Sequence, residues 1–298
     1  MRMWKRLIAV LILGLIGPGC QTNPATGKKQ LNMLSPQREI AMGSEASPKF
    51  IKAYGGEIPS EPILAYVRGI GHRLAEVSER PELPWEFHVV DSAVINAFAL
   101  PGGKVFISRG LLVKLNSEAQ LAGVLGHEVG HVTAKHINDR MAQALGWGIA
   151  GAAIGAAGQT SDQTWLKGLG IGVGVGGTVY QLKFSRSQES QADELGVRYM
   201  TRLGYNPVAQ IQVMKVLKKE AGSGNQPEFL STHPYPDTRI KRLRKLIKKK
   251  YPKYKNPAAY TFNFEPFKQN VLEPLKKLPP PKHDPNSKNK KQKHKQSK

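Results

Sequence analysis

Apolar residues return every three or four positions in several stretches of the chain, the spacing that keeps one face of an α-helix buried. Between residues 62 and 77 the series is Ile63, Val67, Ile70 and Leu74. Ser117-Glu118-Ala119-Gln120 has the form of a capping box, and Leu121, Val124, Leu125 and Val132 continue as the apolar side of a helix. An earlier start signal stands at Ser35-Pro36, a capping hydroxyl followed by proline at the first helical position. Later helices are expected after Ser187, with Ala192, Leu195 and Tyr199 on one face, and over 208–219 and 238–250, the last with a basic polar face. β-rich runs occupy 87–90, 94–100 and 104–108, and Pro101-Gly102-Gly103 reads as a tight turn between the last two. The pattern predicts an α+β fold, mainly helical, with a small antiparallel sheet beside the helix that follows Ser117. Residues 146–177 are rich in Gly, Ala and Ile but interrupted by Gln159 and Lys167, too broken for membrane spans. They read equally as a partly apolar flap or as a weakly ordered connection.

Charge separates the ends from the middle. The 298 residues carry a formal net charge of +22. Arg2, Lys5 and Arg6 precede an apolar run over 7–16, well short of the roughly 20 residues that span a bilayer, so residues 1–19 are expected to be an export signal. Cys20, the only cysteine, follows Gly17-Pro18-Gly19 and has no internal disulfide partner. The arrangement resembles a bacterial lipoprotein signal, which implies a lipid on Cys20 that anchors the chain to a membrane by burying its methylenes, at about 0.8 kcal/mol each. Gln21 after the cysteine, by the same resemblance, implies the outer membrane of a bacterial envelope, facing the periplasm. Residues 20–34 are expected to be a polar tether, 35–265 the folded domain, and 266–298 a basic, disordered tail. From Lys276 onward that tail has nine lysines against one acidic residue, Asp284. Its charge suits contact with anionic envelope polymers, whereas nucleic acid is not an expected partner of an exported chain.

The densest chemistry lies at His127-Glu128-Val129-Gly130-His131. On a helix, residues four apart share a face, so both imidazoles reach one ion. Zinc takes neutral imidazole nitrogen readily and keeps a position for water when three protein ligands bind it. Glu128 beside that water is the candidate general base. His136, nine residues from His127, falls on the opposite side of a continuous helix and reads as a surface residue or as one behind the ligands. His72 has no motif near it and reads as an ordinary helix residue. A third ligand is sought elsewhere. Glu189, with Asp193 one turn on, is a candidate ligand with a candidate hydrogen-bond partner for a ligand imidazole, though both read equally as solvated helix carboxylates.

His-Glu-x-x-His followed by Glu189-x-x-x-Asp193 resembles the gluzincin metallopeptidases of the CAAX prenyl protease / HtpX type. Asn23 to Gly27, Gln30 to Asn32, Asn96 to Gly103 and Thr232 to Ile240 resemble the BepA/LoiP-like periplasmic lipoprotein branch of that family. The resemblance implies one Zn2+ per chain on His127, His131 and Glu189, with Asp193 behind a ligand. It implies that His233 can approach the metal and hold a closed, latent state, the alternative being a loop histidine that caps a turn. Arg239 reads either as an oxyanion donor or as a helix cap. The segment from Asn96 to Leu100 is expected to hold an extended substrate along the sheet. No 34-residue helical repeat follows Arg239, so the shorter LoiP-like architecture is the nearer match. The function implied is a zinc endopeptidase (EC 3.4.24) of the cell envelope acting on misfolded or unassembled envelope proteins. The alternative is a largely latent chaperone or assembly factor that binds them.

Overall fold

The computed structural model describes residues 20–31, 34–140, 183–223 and 227–284. Residues 1–19, read as an export signal, the segment 146–177 and the last fourteen residues therefore lie outside the described residues. A short hairpin, β1 (Cys20–Thr22) and β2 (Lys29–Leu31), leads to helices α1 (Pro36–Ala53) and α2 (Glu61–Glu76). A three-stranded sheet follows, β3 (Glu86–Val90), β4 (Ala97–Leu100) and β5 (Lys104–Ser108), and then α3 (Glu118–Thr133). The chain resumes with α4 (Arg186–Arg202), α5 (Val208–Gly222), a short helix Glu228–Thr232, and α6 (Pro236–Lys250).

The α+β class holds, with one difference in the sheet. The strand order is β3-β5-β4, with β4 antiparallel to β5 but β3 parallel to it. The turn at Pro101–Gly103 returns the chain beside β4, with Gly102 and Gly103 at φ 71° and 85°, where a side chain is strained. Because β4 lies on the far side of β5, β3 is left to pair with β5 in the same direction, so the sheet is mixed. All residues of β4 and β5 are buried, and neither strand shows an inside–outside alternation. Phe98 and Phe106 stack across them at 4.7 Å, and Phe50 of α1 packs on Phe98 at 5.3 Å.

α3 is the centre of the molecule, with all 16 of its residues buried. It lies hard against α4 because small residues face each other. A Cβ on Gly196 would stand 2.9 Å from the His127 backbone nitrogen, and one on Gly130 would stand 3.0 Å from the Ala192 carbonyl. That close approach brings the side chains of the two helices within reach of a common point.

Both expected boundaries of the domain move outward. Residues 20–31, read as a tether, instead fold back on the domain: Asn23 is buried and donates to the Thr133 carbonyl at 3.1 Å. Residues 266–284, read as tail, pack on it: Phe267, Val271 and Leu275 are buried at four-residue spacing. Arg109, paired with Asp91 at 3.1 Å, donates to the carbonyls of Leu275, Leu278 and Pro279. His283 adds a bridge to Ser92, Oγ to Nδ1 2.8 Å. Three apolar contacts in a Pro- and Lys-rich stretch are too sparse a signal to outweigh the composition around them. Truncating Phe267 to alanine is expected to cost about 3–5 kcal/mol of stability. A urea midpoint equal to that of the wild type would contradict the docking of this segment.

Candidate metal centre

Local chain logic places each side chain. The Ser117 hydroxyl accepts from Gln120 N and starts α3, whose period puts His127 and His131 one above the other. A capping box at Ser185 and Gln188 starts α4, so Glu189 and Asp193 fall on its buried face within the first two turns. His233 ends the helix Glu228–Thr232, its N–H bonded to the Phe229 carbonyl. Tyr235, at φ 69°, then reverses the chain into α6, which carries Arg239 in its second turn.

These elements converge on one buried point. The Nε2 atoms of His127 and His131 are 3.1 Å apart, and His131 Nε2 is 3.4 Å from Glu189 Oε1. His233 presents Nδ1 to the same point, 3.3 Å from His127 Nε2 and 2.9 Å from Glu189 Oε1. Four donors thus lie within 4.8 Å of one another. Donors bound about 2.0–2.1 Å from a tetrahedral zinc stand roughly 3.3 Å apart, which is the spacing found here. Glu128 Oε1 and His233 Nε2 are buried without hydrogen-bond partners among the described residues and face each other at 3.6 Å. The donor set and its spacing fit zinc.

Electrostatics set the protonation states the site needs. Burial holds the His131 imidazole well below its usual pKa, which leaves its nitrogen lone pair free for a metal. Burial alone would raise Glu189, but Arg239 and His233 outweigh it and hold the carboxyl well below the usual range. Asp193 is lowered in the same way, against burial, by Arg239 and His127. Glu128 is raised, because burial dominates over the opposing pull of His233 and His127. Burial would lower His233, yet the carboxylates of Glu189 and Glu128 hold it above its ordinary value. The two glutamates are thus shifted in opposite directions, Glu189 downward and Glu128 upward.

Every residue singled out in the motif region comes to this point, though not all as expected. Asp193 sits behind His127, Oδ1 3.1 Å from Nδ1. Arg239 donates to the carbonyl of His233, the C-cap of the helix Glu228–Thr232, at 3.5 Å, but its main partners are carboxylates. It is buried, bonds both oxygens of Asp193 at 2.6 and 2.9 Å, and lies 2.7 Å from Glu189 Oε2 as an ion pair without hydrogen-bond alignment. His136 is fully buried against His131, not on the far side of a helix, because α3 stops at Ala134 and the chain turns at Lys135, φ 56°. His72 is remote, with its ring against Phe87. Sequence reasoning missed Phe184 and Phe229, whose rings stack on the two faces of the His233 neighbourhood at 5.2 and 4.3 Å. It also missed Gln191 and Gln210, which bond His136 and Asp193. Isolated amides and aromatics carry no spacing that would flag them.

The class this geometry defines is a zinc metallopeptidase domain. Residues 64–247 match the family model described as peptidase family M48, and the chain belongs to that family. Among its relatives, the beta-barrel assembly-enhancing protease of Escherichia coli (strain K12) is 29% identical over 256 residues, 80% of this chain and 50% of the relative. The mitochondrial metalloendopeptidase OMA1 of Schizosaccharomyces pombe is 31% identical over 231 residues, 75% of this chain and 65% of the relative. The chain spans about half the length of the assembly-enhancing proteases that it matches.

Replacing Arg239 with methionine leaves Glu189 and Asp193 buried without their cation. The zinc-free protein is then expected to lose about 3–5 kcal/mol, read by urea denaturation. A loss below about 1 kcal/mol, the scale of an exposed pair, would reject this role for the guanidinium.

Proposed function

We propose that the protein is a zinc endopeptidase of the bacterial cell envelope that hydrolyses peptide bonds in misfolded or unassembled envelope proteins. The observation that carries the peptidase reading is the convergence of His127, His131 and Glu189 beside the buried carboxyl of Glu128. Zinc would be held by His127, His131 and Glu189, where it would supply a Lewis acid for the scissile carbonyl and lower the pKa of water. The Glu128 carboxylate would accept a proton from water and deliver it to the leaving amine. Asp193 accepts from His127 Nδ1 and orients that ring.

The envelope assignment rests on the sequence at residues 1–20 and on the assembly-enhancing proteases among the relatives. The lipid on Cys20 and an outer-membrane address are part of the proposal. No described helix is long and apolar enough to cross a membrane. Contact of the basic C-terminal residues with anionic envelope polymers rests on charge alone.

His233 favours a second reading, a largely latent enzyme that binds envelope proteins as a chaperone or assembly factor. Its Nδ1 stands where a fourth donor would take the place of the catalytic water. Cleavage must then wait for the segment bearing His233 to withdraw. Glu128→Gln is expected to retain zinc and to lose casein cleavage by about 10²–10⁴-fold; undiminished cleavage would sink the proposed mechanism. His233→Ala is expected to cleave casein faster than the wild type. Casein binding without cleavage in both the wild type and His233→Ala would favour the chaperone.

A further inference from the structure

We infer that His136 is a positioning residue: it accepts a hydrogen bond from His131 and so fixes the tautomer that turns His131 Nε2 toward the metal. The N-terminal hairpin holds the helix break that puts His136 there. This rests on the zinc site proposed above.

The chain of protons runs in one direction. His136 Nε2 lies 2.8 Å from Gln191 Oε1, an oxygen that only accepts, so Nε2 carries the proton. A neutral imidazole has one donor and one acceptor, which leaves His136 Nδ1 as the acceptor. It faces His131 Nδ1 at 3.1 Å, and a hydrogen bond there requires the proton on His131 Nδ1. His131 Nε2 is then a free lone pair aimed at His127 and Glu189. His127 is oriented from behind by a carboxylate, Asp193, whereas His131 is oriented by a neutral ring. That choice has a physical reason: the pocket already contains Glu128, Glu189 and Asp193, and a fourth buried carboxylate would need its own cation.

The break that delivers His136 is held by side chains distant in sequence. The last carbonyls of a helix have no partner within it. Here Val132 O accepts from Arg80 at 3.2 Å, Thr133 O from Asn23 at 3.1 Å, and Ala134 O from Gln30 at 2.9 Å. Asn23 and Gln30 also bond each other, and Gln30 reaches Asp139 beyond the turn. Two amides of the hairpin thus grip the break from both sides.

The test measures zinc affinity of the full chain by chelator competition. His136→Phe keeps a ring but removes the acceptor, and is expected to weaken zinc binding by about 10–100-fold. His136→Asn places a carbonyl oxygen near the former Nδ1 and is expected to recover most of that loss. The double variant Asn23→Ala, Gln30→Ala is expected to weaken zinc in the same direction. Wild-type affinity in His136→Phe, or an equal loss in Phe and Asn variants, overturns the role. Imidazole ¹⁵N shifts of the zinc-loaded wild type give the same answer without a variant: protons on His131 Nδ1 and His136 Nε2 support it, and the opposite tautomers overturn it. Glu189→Gln, run alongside, separates the two claims, since undiminished zinc affinity there rejects the metal-site reading itself.

Discussion

Arg239 is buried between Glu189 and Asp193, and the metal centre is arranged around that one cation. Three carboxylates and four imidazoles share a volume from which water is excluded, and burial by itself would protonate the carboxylates. The guanidinium outweighs burial for Glu189 and Asp193, whereas at Glu128 burial dominates. Two glutamates shifted in opposite directions thereby coexist in one buried site. Their difference comes from where one charge is fixed.

Fixing that charge demands close helix packing. Glycines at 130 and 196 let α3 and α4 approach nearly backbone to backbone, which sets Glu189 against the two histidines of the facing helix. α6 then enters from the other side, through the left-handed turn at Tyr235, and brings Arg239 down on both carboxylates. The same turn leaves His233 among the ligand atoms, between the rings of Phe184 and Phe229. His233, among the donor atoms, and Arg239, the cation of the site, therefore lie on one short stretch, six positions apart.

Much of this was legible before any coordinates. Start signals at Ser35 and Ser117 located the beginnings of α1 and α3, and apolar spacing located α2 and the buried face of α3. The zinc motif was legible because residues four apart on a helix share a side. Asp193 and Glu189 were ambiguous from the chain alone, since a helix carboxylate looks the same whether solvated or buried until the partner helix is known. The mixed sheet was not legible, because strand order depends on where β4 lies in space. His136 was left between the surface and a place behind the ligands, and the second is found; the angular argument pointed away from it because it assumes an unbroken helix, whereas the break at Lys135 depends on Asn23 and Gln30, more than a hundred residues earlier. The packed segment 264–284 was hidden by its lysines, which flank the three buried apolar side chains that dock it.

The most direct measurement is an anomalous-scattering map of crystals of the zinc-loaded protein, recorded on both sides of the zinc absorption edge. The account expects one strong peak bonded to Nε2 of His127, Nε2 of His131 and the Glu189 carboxylate, with Arg239 still on Asp193. No peak there, or a zinc ion bound elsewhere while these side chains keep the arrangement described, would contradict it.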